Sequence, residues 1–570
     1  MKSINIFAGT LLAVFTFTAC SKQLDQYSQS ELSSETYWTT ETEARLAVNS
    51  CYSFLSNSYA IGSPVYNALF NEAFADNGYG VNSWDSDAQL ISAGAITPAG
   101  MIYTGYDYTR VSLCNNVLTN ISKVPMDETL KKRYIAEARV LRAFWYFLNT
   151  QYYGPMPLVT DYTSDPKTLD ITPVSQEKLF DFITSELDAA SADLPDSYSG
   201  SGAGNEKGRV TKWAAIALEA RAYLYRGNWP KAAELSKKII DGGQFKLFRV
   251  NALTTADMAD DYSSLVTFAD DNAKTKFYKG LRSYEKQFWA ENDFNSEVIF
   301  DAGFVQNSPY SFSTPCQLVL PPSYVGGWTG MLPTQALVDA YWKADGTMFT
   351  PPSNEQRANN YNEGAPTAAY FNEFKNRDTR LYASVVFPGN SWNALIKDDP
   401  GGLGTGICYW SPDYNPLGYN LRKLVDPNYV LDWTSPQNFP LVRYAEMLLT
   451  YAEAQNEAAG PDASVYAALN DIRDRSGMPS VTPGLSKDAM RDVIRNERRI
   501  ELAGEGFRYD DMRRWYKGQE QIDKMQGIYS IDNTLIQPRD WQLKDSLLPY
   551  PQDAVDRNPA LKDAQTGKGY

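Results

Sequence analysis

The sequence predicts a mainly α-helical protein in which helix pairs stack into a superhelix and carry a second, loop-rich face. Three observations predict it. Helical periodicity dominates both ends of the 570-residue chain, glycine-marked turns separate paired helices, and a central stretch from about Asn251 to Pro440 is rich in Gly, Pro, Asn, Ser and aromatics. At 43% hydrophobic and 21% charged residues, the composition is ordinary for a globular protein with a large core.

The first twenty residues, "MKSINIFAGTLLAVFTFTAC", place one lysine before an apolar run from Ile4 to Phe17 and small residues before Cys20. This reads as an export signal, residues 1–19, too short to span a membrane. Cys20 directly after Thr18-Ala19 is similar to a bacterial lipobox, with Phe17 where leucine is usual, so Cys20 is expected to become the lipidated first residue. An ordinary secretory peptide with a chance cysteine is the alternative. Residues 20–36 are polar and Ser-rich, a tether of roughly 50 Å at about 3.3 Å per residue. Residues 37–570 are expected to form a single domain, with an N-terminal part of about 37–250 and a C-terminal part of about 290–570.

Within that domain Tyr134, Ala138, Leu141, Trp145 and Leu148 recur at helical spacing until Gly154-Pro155 and Pro157 end the run. Trp213, Ile216, Ala217, Ala220 and Leu224 form a second stripe, broken at Gly227-Asn228 before another helix from Pro230 to Asp241. Small residues at Ala220 and Ala232 with aromatics at Tyr223 and Trp229 match the tetratricopeptide pattern of antiparallel helix pairs. A further pair places Tyr444, Met447, Leu448 and Tyr451 on one face and turns at Gly460-Pro461. Such pairs bury their apolar faces only by stacking. In the centre, "EVIFDAGF" and "LYASVVF" read as short strands among loops, and long loops on a rigid scaffold are where binding residues concentrate.

Composition excludes several functions. A net charge of −15 without a basic run repels a phosphate backbone, so no nucleic-acid partner is expected. The chain has no histidine, which removes the commonest general base and metal ligand. Cys51, Cys114, Cys316 and Cys408 lack CxxC spacing and make no metal or redox motif; Cys51 and Cys114, in helical-looking segments, read as buried free thiols, although export permits a disulfide. Asp85 and Asp87 lack the further ligands of a calcium loop, so no obligatory metal and no cofactor are expected. Thirty-eight Tyr and 13 Trp supply flat amphipathic rings suited to sugars or peptides.

One stretch invites a catalytic reading. "ERRIELAGEGFRYDDMRRW", residues 497–515, holds five acidic and five basic side chains, with Glu501 and Glu505 one helical turn apart. Paired carboxylates could serve a glycosidase. The apolar stripe Met490, Val493, Ile494 continues through Glu497 to Ile500 and Glu501, however, so these carboxylates are expected to face inward beside Arg498, Arg499 and Arg508. Nearby cations lower a carboxylate pKa, whereas a glycosidase acid needs it raised. A charge-balanced structural knot is the reading preferred.

Nine stretches in order, among them "TYWTTETEARLAVNSCY", "ARVLRAFWYFLNTQYYGPMPLV", "NSEVIFDAGF", "NRDTRLYASVVFPG", "LVRYAEMLLTYAEAQNE" and "LLPYPQDAVDRNPAL", together resemble the SusD/RagB family of outer-membrane lipoproteins from Bacteroidetes. Tyr550 stands where the family favours isoleucine, and "KDAQTGKGY" replaces its usual C-terminal tail. The resemblance implies a non-catalytic nutrient-binding lipoprotein with four tetratricopeptide-like helix pairs, lipid-anchored in the outer membrane and exposed at the cell surface. It further implies glycan ligands, or peptides in some branches, handed to a SusC-like TonB-dependent transporter. A scaffold lipoprotein that binds only other proteins is a third possibility.

Two loops have glycan-binding chemistry, Trp or Tyr faces with nearby hydrogen-bonding groups. "ADNGYGVNSWDSD" offers Asp76, Asn77, Tyr79, Asn82, Trp84 and Asp85; "VQNSPYSFSTPCQLVLPPSYVGGWTG" offers Tyr310, Tyr324 and Trp328. Trp392 and Trp433 are further aromatics of the same face.

Overall fold

A computed structural model describes residues 37–55, 63–84, 86–100, 105–162, 170–200, 205–306, 313–323, 326–361, 367–388, 390, 415–430 and 434–570. Cys20, its export signal and the tether lie outside the described residues.

Helices α1 (Glu41–Tyr52), α2 (Thr109–Asn120), α3 (Glu128–Tyr153), α4 (Gln176–Ser191), α5 (Lys212–Arg226) and α6 (Trp229–Gly242) follow one another in the N-terminal part. After α7 (Asp271–Lys286), the C-terminal part adds α8 (Tyr444–Ala459), α9 (Ala463–Arg475), α10 (Lys487–Glu501) and α11 (Arg508–Trp515). From α1 to α6 each of the first six packs on the next, and α6 packs on α8, which carries α9 and α10. The expected superhelical layer is therefore continuous across both parts of the chain. Caps explain where its helices begin: the Asp127, Ser175 and Thr211 side chains each accept a backbone N–H from the first turn of α3, α4 and α5.

Among the described residues the second face is built on four two-stranded antiparallel ribbons. β1 (Gly78–Gly80) pairs with β3 (Met331–Pro333), β2 (Val298–Ala302) with β6 (Phe439–Arg443), β4 (Val385–Val386) with β5 (Asn420–Leu421), and β7 (Ile528–Tyr529) with β8 (Leu535–Gln537). Two expectations fail here. The centre contains the sixteen-residue α7, whose Phe277, Leu281 and Tyr284 form a buried stripe. In "LYASVVF" the run is helical from Thr379 to Ser384, because the Asp378 side chain accepts the Arg380 N–H and starts a turn; only Val385 and Val386 are strand.

Two apolar cores result. The larger lies under the helical layer, and the smaller gathers Tyr262, Leu281, Tyr341, Phe374, Tyr382 and Phe387 beneath the irregular face. The stretch from Ile500 to Phe507 runs along their boundary: Ile500 and Ala503 belong to the smaller core, Leu502 and Phe507 to the larger. Between the cores sits a closed network of ionised side chains. Arg443 reaches Glu297 at 2.6 Å, Glu501 at 2.8 Å and Glu505 at 2.7 Å. Arg380 joins Asp378 at 2.8 Å, Glu497 at 2.5 Å and Glu501 at 3.0 Å, and Arg475 bridges Glu297 and Glu501. Lys423 meets Glu505 at 2.6 Å, and Arg473 meets Glu497 at 3.1 Å. Asp378, Glu297, Glu497, Glu501 and Glu505 thus balance Arg380, Lys423, Arg443, Arg473 and Arg475, five against five.

Glu501 is fully buried and Glu505 is 5% exposed, as the inward stripe requires. Their partners differ from those expected. Arg498 pairs with Asp511, and Arg499 and Arg508 with Asp76, so the cations nearest in sequence point elsewhere. Burial alone would raise the Glu501 pKa, but Arg475, Arg443 and Arg380 hold it well below the usual carboxylate range. Burial likewise opposes Arg443 and Lys423 at Glu505, and the cations win. Gly506 closes the stretch at φ 86°, and a Cβ there would lie 2.6 Å from the Ala68 Cα, so only glycine fits this approach.

Glu501→Ala is expected to destabilise the fold by about 3–5 kcal/mol, because it strands buried guanidinium groups; a denaturant melt that does not move would show the stretch to be exposed. The pH dependence has a fixed sign. A carboxylate depressed in the folded state contributes stability above its unfolded pKa of about 4.3 and loses it as pH falls further. Thermal melts should therefore drop in the parent below about pH 4.3, and less steeply in Glu501→Gln.

Candidate ligand-binding site

The β1–β3 ribbon positions the candidate site. Its register sets Gly78 opposite Pro333, Tyr79 opposite Leu332 and Gly80 opposite Met331, and the Val81 N–H continues the ladder to the Gly330 carbonyl. Just beyond that end the two chains present Trp84 and Trp328. Their rings meet edge to face, centroids 5.1 Å apart at 69°, although 244 positions separate them in sequence. Trp84 is 57% exposed, whereas Trp328 is half-buried and rests one side on the larger core.

The loop carrying Trp328 is tightly held. The Trp328 N–H donates to the Leu318 carbonyl at 2.7 Å, Thr329 N–H to Pro321 at 3.1 Å and Gly330 N–H to Val319 at 2.7 Å. A Cβ on Gly327 would fall 2.2 Å from the Pro321 oxygen, so the turn accepts glycine alone. Thr329 adopts φ 52°, a conformation a β-branched residue rarely tolerates, with its hydroxyl accepting the Ser323 N–H at 3.0 Å. Strain of this kind costs about 1–3 kcal/mol and persists where surrounding structure over-determines it. Sequence reading missed Thr329, since nothing in the residue type signals a positive φ.

The opposite end of the ribbon is occupied differently. Asp76 accepts from Arg508 at 2.6 Å and from Arg499 at 3.0 Å; burial would raise its pKa, but these guanidinium groups hold it well below the ordinary value. Asn77 is buried between the Glu72 carboxylate and Arg499. The Thr334 hydroxyl donates to the Asp76 carbonyl and its N–H to the Asn77 carbonyl. Asp76 and Asn77, expected to face ligand beside Trp84, are instead drawn inward as anchors of the ribbon, because the arginines of α10 and α11 arrive from more than four hundred positions away. Of the other expected residues, Asp85, Tyr310 and Tyr324 lie outside the described residues, as do Trp392 and Trp433. Tyr79 is half-buried, its hydroxyl accepting from Gln89.

Cys51, Cys114 and Cys316 are free and buried. Among the described residues no helix is long and apolar enough to cross a membrane, and no group of three His, Cys, Asp or Glu side chains is placed to hold a metal ion.

Comparison with known proteins agrees with this architecture. Residues 296–570 match the SusD family, and residues 22–224 match a family described as starch-binding and associating with the outer membrane. Among curated relatives, SusD-like protein P25 of Formosa agariphila is 23% identical over the whole length of both chains. SusD-like protein P38 of the same organism is 24% identical, over 92% of this chain and 94% of the relative. Two crystal structures from Bacteroides fragilis, a SusD-like protein and a SusD-like carbohydrate-binding protein, each superpose with a TM-score of 0.73 at 24% identity, covering 92% of this chain and 97% and 100% of theirs. With a SusD-family match in each part of the chain, relatives aligned end to end and the same helical fold, the chain belongs to the SusD/RagB family.

Proposed function

We propose that this protein is a non-catalytic, outer-membrane-associated lipoprotein that binds glycan on the Trp84–Trp328 surface and passes it to a SusC-like TonB-dependent transporter. The observation that carries the ligand reading is the meeting of two tryptophans from distant loops on a strained, hydrogen-bonded support. Exposed indole faces stack on the C–H patches of sugar rings, and a support that is already ordered lowers the entropy lost on binding. The family description as starch-binding and associating with the outer membrane supports the ligand class and the location. Cys20 would supply the anchor, at about 0.8 kcal/mol per buried methylene of its acyl chains.

The glycosidase alternative required Glu501 and Glu505 as acid and nucleophile. Both carboxylates are buried in the ion network, and the cations hold them ionised. Neither can deliver a proton to a leaving group.

Three outcomes are expected. On a glycan array with a peptide control, the purified protein should retain glycan and release no new reducing ends; retention of peptide alone would replace the ligand class. By calorimetry with the best array hit, Trp84→Ala and Trp328→Ala should each weaken binding about tenfold or more, since aromatic contacts add about 0.5–1.5 kcal/mol beyond area burial. The thermal melts should differ: unchanged for exposed Trp84→Ala, lowered for core-supported Trp328→Ala. Cys20→Ala should move the protein out of the membrane fraction and abolish palmitate labelling, and equal labelling of parent and variant would refute the anchor.

A further inference from the structure

A cavity of about 220 Å³ opens at the far end of the β1–β3 ribbon from the tryptophan pair, between the β7–β8 hairpin and the short helices Gln335–Ala340 and Asn354–Tyr361. Asp76 and Thr334, which close that end of the ribbon, form part of its floor. The volume far exceeds the roughly 10–15 Å³ that one water needs. Its chemistry is mixed. Tyr529, 41% exposed, lies at the lining, together with Lys524, Arg539, Asn354 and Asp339.

The charges around it do not balance. Asp76 faces Arg499 and Arg508, and Arg357 faces Asp339 at 3.2 Å and Glu373 at 2.8 Å. Among the described residues Arg539 donates only to neutral acceptors, the Gln537 side chain and the Ala75 and Gly78 carbonyls, which use three of the five N–H groups of a guanidinium. Lys524 lies over the Tyr516 ring at 4.7 Å and forms no ion pair among the described residues. Of the residues that line the cavity, three are cations (Arg357, Lys524, Arg539) and two are carboxylates (Asp76, Asp339), a local excess of one positive charge in a chain of net −15. Burial pulls Arg539 down to about 10 despite the nearby Asp76, the mark of a guanidinium short of counter-charge. A walled cavity with one sign in excess focuses its field inward.

We propose that this cavity is a second subsite, selective for an acidic sugar unit, in which a carboxylate or sulfate ester meets Arg539 and Lys524 while the ring rests on Tyr529. Asp339 and Asn354 supply an acceptor and an amide for ring hydroxyls. This inference rests on the reading that the protein binds glycan, and it narrows the ligand to chains carrying anionic units.

The test uses the full mature chain and ligand-observed NMR titration with glucuronate, glucose and inorganic sulfate. Glucuronate should bind at least about tenfold more tightly than glucose, because a charge-assisted hydrogen bond outweighs a neutral one by about that factor. Lys524→Gln should lower glucuronate affinity about tenfold and leave glucose unchanged, Tyr529→Ala should weaken glucuronate, and Trp84→Ala should leave it intact. Equal binding of glucose and glucuronate would overturn the anionic selectivity. Sulfate binding as tightly as glucuronate, unaffected by Tyr529→Ala, would reduce the site to an anion hole and overturn the sugar assignment. Glycan binding abolished by Trp84→Ala with no glucuronate bound would refute this subsite alone, whereas glucuronate bound here with no glycan affected by either tryptophan variant would refute the tryptophan platform and leave the subsite standing.

Discussion

The buried network around Glu501 is the constraint on which the rest of the structure depends. Ten ionised side chains removed from water carry a desolvation cost that is offset only when every member finds its partners with good geometry. Those partners come from the turn that leads into β2, from β6, α9, α10 and the stretch that follows α10, from the Asp378–Ser384 turn and from the loop holding Lys423, segments drawn from both apolar cores. An apolar boundary would tolerate sliding of one core on the other; a network of directional ion pairs, two of them bidentate, does not. The helical layer and the irregular face are locked in one register.

That register is transmitted to the candidate site through one short path. Arg499 lies two residues before Glu501 on α10, and with Arg508 it grips Asp76 at the foot of β1. β1 in turn holds β3, and Trp84 and Trp328 extend from the ribbon's other end. The indole surface is thus tied through the ribbon to the arginines of α10 and α11, and not carried on a free loop. Strain at Thr329 fits this arrangement, since only a support held on several sides keeps a β-branched residue at positive φ.

Legibility in the sequence followed the range of the interactions. Helix pairs were readable because periodicity, caps and turns act within a few residues: the break at Gly227-Asn228 separates α5 from α6 as expected. The inward direction of Glu501 was readable from its stripe; its partners were not, because Arg380, Arg443 and Arg475 lie 121, 58 and 26 positions away. Trp84 and Trp328 were legible as chemistry, yet nothing local said that they touch. Helix α7 was obscured by its polar neighbours, and Asp76 looked like a ligand group because its arginines are out of sequence reach. The two local departures from the family pattern explain each other: Tyr550 is buried, donates to the Pro155 carbonyl, and lies 3.2 Å under the Lys568 ammonium of the unusual tail. A larger ring at position 550 and a lysine at 568 form one cation–π contact.

Electrostatics divides the molecule in a way that net charge hides. The −15 total is a formal sum over the whole chain, and its exposed members are screened by solvent and salt within about 10 Å. Inside, the Glu501 network is neutral, and the positive excess at the β7–β8 cavity lies in a walled site where screening is weak. A polyanion therefore meets little attraction at a distance and a favourable field only once a single unit enters the cavity. Selection would act at the residue bound, not at the encounter, which separates recognition of an acidic sugar from indiscriminate adhesion to anionic polymers. The tryptophan pair, which reads ring faces and not charge, would supply affinity to the same chain from the other end of the ribbon.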